Sequence, residues 1–142
     1  MVRPIDSGVI FIARIALAVR FLWGGIVKLF GYAGFVGYLH AKGVPFAEIG
    51  APIATAIELI GGLLLVVGFL IRPLAIVMAV YMLIAAVLGH DFWNVVDPAM
   101  QRDMVIHFWK NIGISGGFLL LYVTGAGALS IDAARAPRRR LL

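Results

Sequence analysis

The chain contains no cysteine. That absence excludes disulfide staples, thiolate metal ligands, covalent c-type haem attachment and CxxC redox exchange together. Any redox role must therefore use a bound or neighbouring cofactor. Charge is also scarce: Asp, Glu, Lys and Arg make up 13% of 142 residues, and only seven are acidic. The apolar share of 63% stands far above the roughly 45–50% of an ordinary soluble domain. Little of the chain is left over for a soluble domain.

What is present is four apolar runs, about 8–30, 49–71, 73–89 and 104–124, each near the ~17–25 residues that cross a hydrocarbon core as a helix. The expected fold is all-α: one integral membrane four-helix bundle filling residues 1–142. Arg14 and Arg20 interrupt the first run, so it reads as a spanning helix and not as a cleaved signal peptide. Four spans put both termini on one side with the second connection. That side carries Arg3, Arg72, Arg135, Arg138, Arg139 and Arg140, against Lys42 and Arg102 opposite, which places both termini in the cytoplasm. The terminal PRRR reads as a topology signal and a contact for anionic lipid; no nucleic-acid partner is expected, since no folded basic surface accompanies it.

The tight joint of the hairpin between the second and third runs is expected at Arg72-Pro73. On the second run Ala51, Ala54, Thr55, Glu58, Gly61 and Gly62 share about a third of the helix circumference, where another backbone can approach. Gly24 and Gly25 of the first run, and Gly113, Gly116 and Gly117 of the fourth, suit close helix contact in the same way.

Polar residues inside these runs are the candidates for chemistry. In HFWKNIGISGG, His107, Lys110 and Asn111 fall at i, i+3 and i+4 with Ser115 continuing the stripe. Arg20, Gly24 and Lys28 follow at i, i+4 and i+8 on the first run, with Arg14 near the stripe, and Glu58 is the one acid inside a span. Matching depths make Arg20–Glu58 the simplest ion pair, with Lys110 as the alternative partner. Lys28, Glu58, His90, His107, Lys110 and Asn111 gather in the outer half, and the inner half reads as almost wholly apolar.

Each member has a structural reading beside the functional one. Arg20–Glu58 can fix helix register, the histidines can be interfacial, Lys110 can snorkel, and Asn111 can bond between helices. Two histidines and a glutamate invite a metal, but the surrounding cations oppose a dication and no metal is expected. A quinone-like lipid matches better. Its head-group carbonyls would take hydrogen bonds from the histidine, lysine and asparagine donors, and Trp23, Phe92, Trp93, Phe108 and Trp109 would supply aromatic walls. Glu58 or His107 would exchange the proton; Arg20, Lys28, His90, Trp93, Lys110 and Asn111 would hold the ligand.

The stretches RFLWGGIVKLFGYAGFVGYL, AIELIGGLLLVVGFLIRPLA and HDFWN…DPAMQ…HFWKNIGISGGFLLL with the terminal GAGALSID resemble the DoxX family of small four-helix bacterial membrane proteins. The resemblance covers nearly the whole chain and implies an inner-membrane location. Family members are linked to a thiosulfate:quinone oxidoreductase and to membrane-associated oxidoreductase assemblies. Matching motifs would carry functional positions onto Arg20, Lys28, Glu58, His90, His107, Lys110 and Asn111. Three functions remain open: a quinone-binding subunit working with a partner oxidoreductase, a non-catalytic anchor or assembly subunit, and a small anion or lipid transporter, for which the protomer would have to form a homo-oligomer.

Overall fold

The computed structural model describes residues 4–136; Arg3, Arg138, Arg139 and Arg140 of the expected cytoplasmic cluster lie outside the described residues. Helices run over α1 (Pro4–Phe30), α2 (Tyr32–Ala41), α3 (Ala47–Val67), α4 (Ile71–Gly89), α5 (Pro98–Thr124) and α6 (Ile131–Arg135), with a single 3₁₀ turn at Phe92–Asn94. Among the described residues there is no strand. Helices α1, α3, α4 and α5 are each long and apolar enough to cross a membrane. Their outward faces carry large apolar side chains such as Val19, Ile60, Leu83 and Leu120, a surface suited to lipid and not to water.

The bundle is built as two close pairs, α1 on α3 and α4 on α5, which meet through a lighter α3–α4 contact. In the first pair glycines trade places with leucines. A Cβ on Gly25 would come within 2.7 Å of Leu59 Cγ, and one on Gly62 within 2.7 Å of Leu22 Cγ, so each leucine seats against the other helix's bare backbone. In the second pair the stripe Asn111, Ser115, Phe118 and Leu121 is the buried face of α5, and Ser115 Oγ donates to the Ala79 carbonyl at 3.0 Å. Gly113, Gly116 and Gly117 do not serve as expected: nothing lies within 4 Å of the side chain each lacks. The core centres on Phe21, whose ring stands 5.5 Å from Phe118 and 6.5 Å from Tyr81.

The connections also depart from expectation. The second run ends at Val67, not at residue 71, because Gly68 and Leu70 adopt positive φ (70° and 52°) and turn the chain there. Arg72-Pro73 instead occupies the first turn of α4, where a missing N–H leaves no bond unmade. Leu70 pays for its left-handed backbone with steric strain that the Asp132 carboxylate offsets, accepting from Leu70 N at 2.8 Å and Ile71 N at 2.9 Å. Helix α5, the fourth span, begins six residues before Met104, at Pro98, because Asp97 caps it by accepting from Met100 N at 2.8 Å.

Nor is the α6 end of the bundle apolar. Arg14 is completely buried there and donates from Nη2 to the Leu129 carbonyl at 2.6 Å, while its Nε and Nη1 have no hydrogen-bond partner. Its guanidinium lies over Gly68, which must be glycine both for its φ and because a Cβ would collide with Arg14. Residues 125–132, the GAGALSID segment, fold across this end, with Ala128 N donating to Ser7 Oγ.

Candidate functional site

Glu58 sits on the small-residue face of α3 and is 3% exposed. Its carboxylate is met from two other helices. Lys28 Nζ of α1 donates to Oε2 at 2.6 Å, and the Tyr81 hydroxyl of α4 donates to Oε1 at 2.7 Å. The expected Arg20–Glu58 pair does not form, and neither does Lys110–Glu58; the ion pair is with Lys28, two turns along the α1 stripe from Arg20. The gap between them is narrow, since a Cβ on Gly24 would lie 2.7 Å from both Arg20 Nη1 and Glu58 Oε2. Glycine at 24 therefore leaves room for both groups at one level.

Arg20 makes no hydrogen bond or ion pair with the described residues; its guanidinium lies 6.0 Å from the centre of the Phe21 ring. It is close enough to act electrostatically on Tyr81, His90 and Lys110. A charge at membrane depth costs at least ~2.5–3.5 kcal/mol, so a guanidinium left without a partner is notable.

These groups border a half-open cavity of about 670 Å³ lined by α1, α2, α3 and α4, with Asn111 of α5 also reaching it. Arg20, Lys28, Glu58, His90 and Asn111 line it, together with Tyr81. Most of the remaining wall is apolar, from residues such as Ile53, Ile57 and Leu88. The Asn111 Oδ1 and His90 Nδ1 atoms are buried without a hydrogen-bond partner.

The other candidates lie elsewhere. His107 stacks on His90 with ring centroids 5.1 Å apart and meets Lys110 Nζ at 2.6 Å through Nδ1, so both stand behind His90 and do not line the cavity. Trp93 packs with Phe92 and Phe108, and Phe108 with Trp109, in a separate aromatic cluster; of the expected aromatic walls only Trp23 borders the cavity. No group of three or more His, Cys, Asp or Glu capable of holding a metal occurs among the described residues.

Helix α2 was not foreseen, and it forms one wall of the cavity through Phe35, Tyr38 and Leu39. It buries none of its own residues. Polar contacts hold it instead: Tyr38 Oη donates to the Gly89 carbonyl at 2.5 Å, Lys42 pairs with Asp91, and Tyr32 Oη donates to the Glu48 carbonyl at 3.2 Å. The last carbonyl is free because Pro52, four residues on, has no N–H to give it. Burial pushes the Tyr38 phenol above its ordinary range, opposed by Lys42 and reinforced by Asp91. Tyr81 was missed as well, although a tyrosine in the middle of an otherwise apolar span signals a hydroxyl that needs a partner.

The family model described as DoxX matches residues 9–91, more than half of the chain, and takes in the α1 to α4 walls of the cavity but not Asn111. The chain belongs to the DoxX family. Two relatives from Escherichia coli (strain K12) agree: inner membrane protein YphA is 42% identical over 130 residues, 92% of this chain and 90% of its own length. Inner membrane protein YqjF is 42% identical over 128 residues, 89% of this chain and 91% of its own. No solved structure matches. With four membrane-spanning helices, this DoxX protein is a multi-pass protein of the bacterial inner membrane.

Proposed function

We propose that this DoxX protein is a subunit of a membrane redox system that takes the head group of a quinone-like lipid into its cavity and works with a partner oxidoreductase. The observation that carries the reading is the cavity itself, with apolar walls and a polar floor made by Arg20, Lys28, Glu58 and Tyr81. The donor set fits such a head group. Arg20 offers unused N–H groups to carbonyl oxygens, and the Asn111 Oδ1 left without a donor can accept from a hydroxyl. When bound, the ring would supply reversible uptake of electrons and protons. Tyr81 and Lys28 orient the Glu58 carboxylate, which can take and return a proton where Arg20 cannot. The apolar walls keep water away from the head and hold the start of the tail.

Solvent extraction of protein purified in mild detergent tests this. The wild type is expected to retain a redox-active quinone in near-stoichiometric amount. Ala85→Phe, which fills the cavity without touching the ion pair, should lose about ten-fold of it while remaining folded. An extract of the wild type free of quinone would defeat the reading.

One observation favours a second reading, that of a non-catalytic anchor or assembly subunit. Glu58 already has a donor on each carboxylate oxygen from within the protein, which is what a register-fixing pair requires. A protein partner purifying in fixed ratio, with no small molecule bound, is the outcome this reading expects.

A further inference from the structure

The charges around the cavity do not cancel. Its charged lining residues are Arg20, Lys28 and Glu58, two cations against one carboxylate. Lys28 and Glu58 neutralise each other at 2.6 Å, which leaves Arg20 as the surplus. Arg20 lies ten residues before Phe30, the last residue of α1, about 15 Å along the axis at 1.5 Å per residue. That depth is too great for its side chain to reach the lipid head groups at the helix end. Among the described residues the acid beside it is Glu58, whose Oε2 meets Arg20 Nη1 across Gly24 but is already paired with Lys28; Asp91 pairs with Lys42, and Glu48 with His40. Of the other groups near it, His90 and Lys110 have no anionic form to offer.

We infer that the head group selected by this cavity carries a single negative charge on oxygen, attached to an apolar tail, with Arg20 as its counter-ion. The inference rests on the reading of the cavity as a lipid-head site and adds the charge of the ligand. One anion matches the one uncompensated cation. An oxygen acid matches the planar guanidinium fork, which pairs with two oxygens at once. The tail follows from the apolar walls of Ile53, Ile57 and Leu88. Two kinds of amphiphile share this chemistry: a long-chain carboxylate, and a quinone-type ring bearing an ionised hydroxyl.

Trp23 borders the cavity and can report on it. The full chain carrying Trp93→Phe and Trp109→Phe, which leaves Trp23 as the sole indole, would be placed in zwitterionic lipid nanodiscs at about pH 9, well above the ordinary carboxylic-acid range. Quenching of Trp23 is then titrated with two matched pairs of probes: a chain-brominated fatty acid and its methyl ester, and an alkylated hydroxynaphthoquinone and its methyl ether. The anionic member of at least one pair is expected to bind about ten-fold more tightly than its neutral counterpart, and the pair that shows this identifies the source. Arg20→Gln should abolish the preference and leave neutral binding in place, while Arg20→Lys should retain part of it. Equal binding of acid and neutral form by the wild type overturns the charge assignment, and that comparison needs no Arg20 variant to fold. A preference that survives Arg20→Gln overturns it too. Tight neutral binding without preference removes the charge assignment alone; no binding by any probe removes the lipid-head reading with it.

Discussion

Glu58 is held by Lys28 and Tyr81 from two different helices, so its removal strands a cation whose side chain is only 21% exposed. Breaking a buried pair on one side typically costs 3–5 kcal/mol, whereas replacing both partners by apolar residues is often neutral. Glu58→Ala should accordingly destabilise the protein by about 3 kcal/mol, the lower bound because Lys28 keeps some exposure. The triple variant Glu58→Leu, Lys28→Met and Tyr81→Phe, which strands no partner of the carboxylate, should recover most of that loss. Unfolding titrations in mixed micelles would measure both, and equal stability of the wild type and the single variant would count against an energetically coupled pair. Depth counted along each helix set Arg20 level with Glu58 and Lys28 near the outer surface, and so chose the wrong partner. Arg20 and Lys28 lie on one stripe at i and i+8 with Gly24 between them against the Glu58 carboxylate, and neither rise nor spacing registers which side chain reaches it.

At the scale of elements, α2 is the piece that sequence periodicity hid. YAGFVGYLHA is short, carries three glycines with its flank and buries nothing, so it has neither the length nor the stripe that marks a helix. Its place is set by distant partners near the end of α4, Gly89 at 51 positions from Tyr38 and Asp91 at 49 from Lys42. The long apolar runs were legible because burial in lipid demands their length. Their ends were not, since Asp97 and Asp132 decide them through caps that hydropathy does not register. An element held by few contacts should open locally before the bundle does. Lys42→Ala with Tyr38→Phe is therefore expected to speed amide exchange across 32–42 by about ten-fold, leaving α4 and α5 unchanged. Exchange rising equally throughout would mean that α2 is part of the cooperative core.

For the whole molecule, the two ends of the bundle differ in closure. One is covered by α2 and the 90–97 connection, the other by residues 125–135. From the arginine asymmetry the second end is expected in the cytoplasm. Because the chain has no cysteine, single reporters can test this directly. Val96→Cys, at a position 95% exposed, should react with an impermeant maleimide from the periplasmic side, and Ala136→Cys only after permeabilisation. The reverse pattern would invert the topology. Arg14 adds a constraint in time. The carbonyl it needs belongs to Leu129, 115 positions later, and at synthesis rates of 5–20 residues per second that is on the order of ten seconds of translation. Until Leu129 leaves the ribosome, α1 enters the membrane with a guanidinium for which the chain has not yet made the acceptor. The nascent protein must keep that arginine in water, among lipid phosphates or against an insertion factor, and it cannot seal its second end before synthesis has passed the GAGALSID segment.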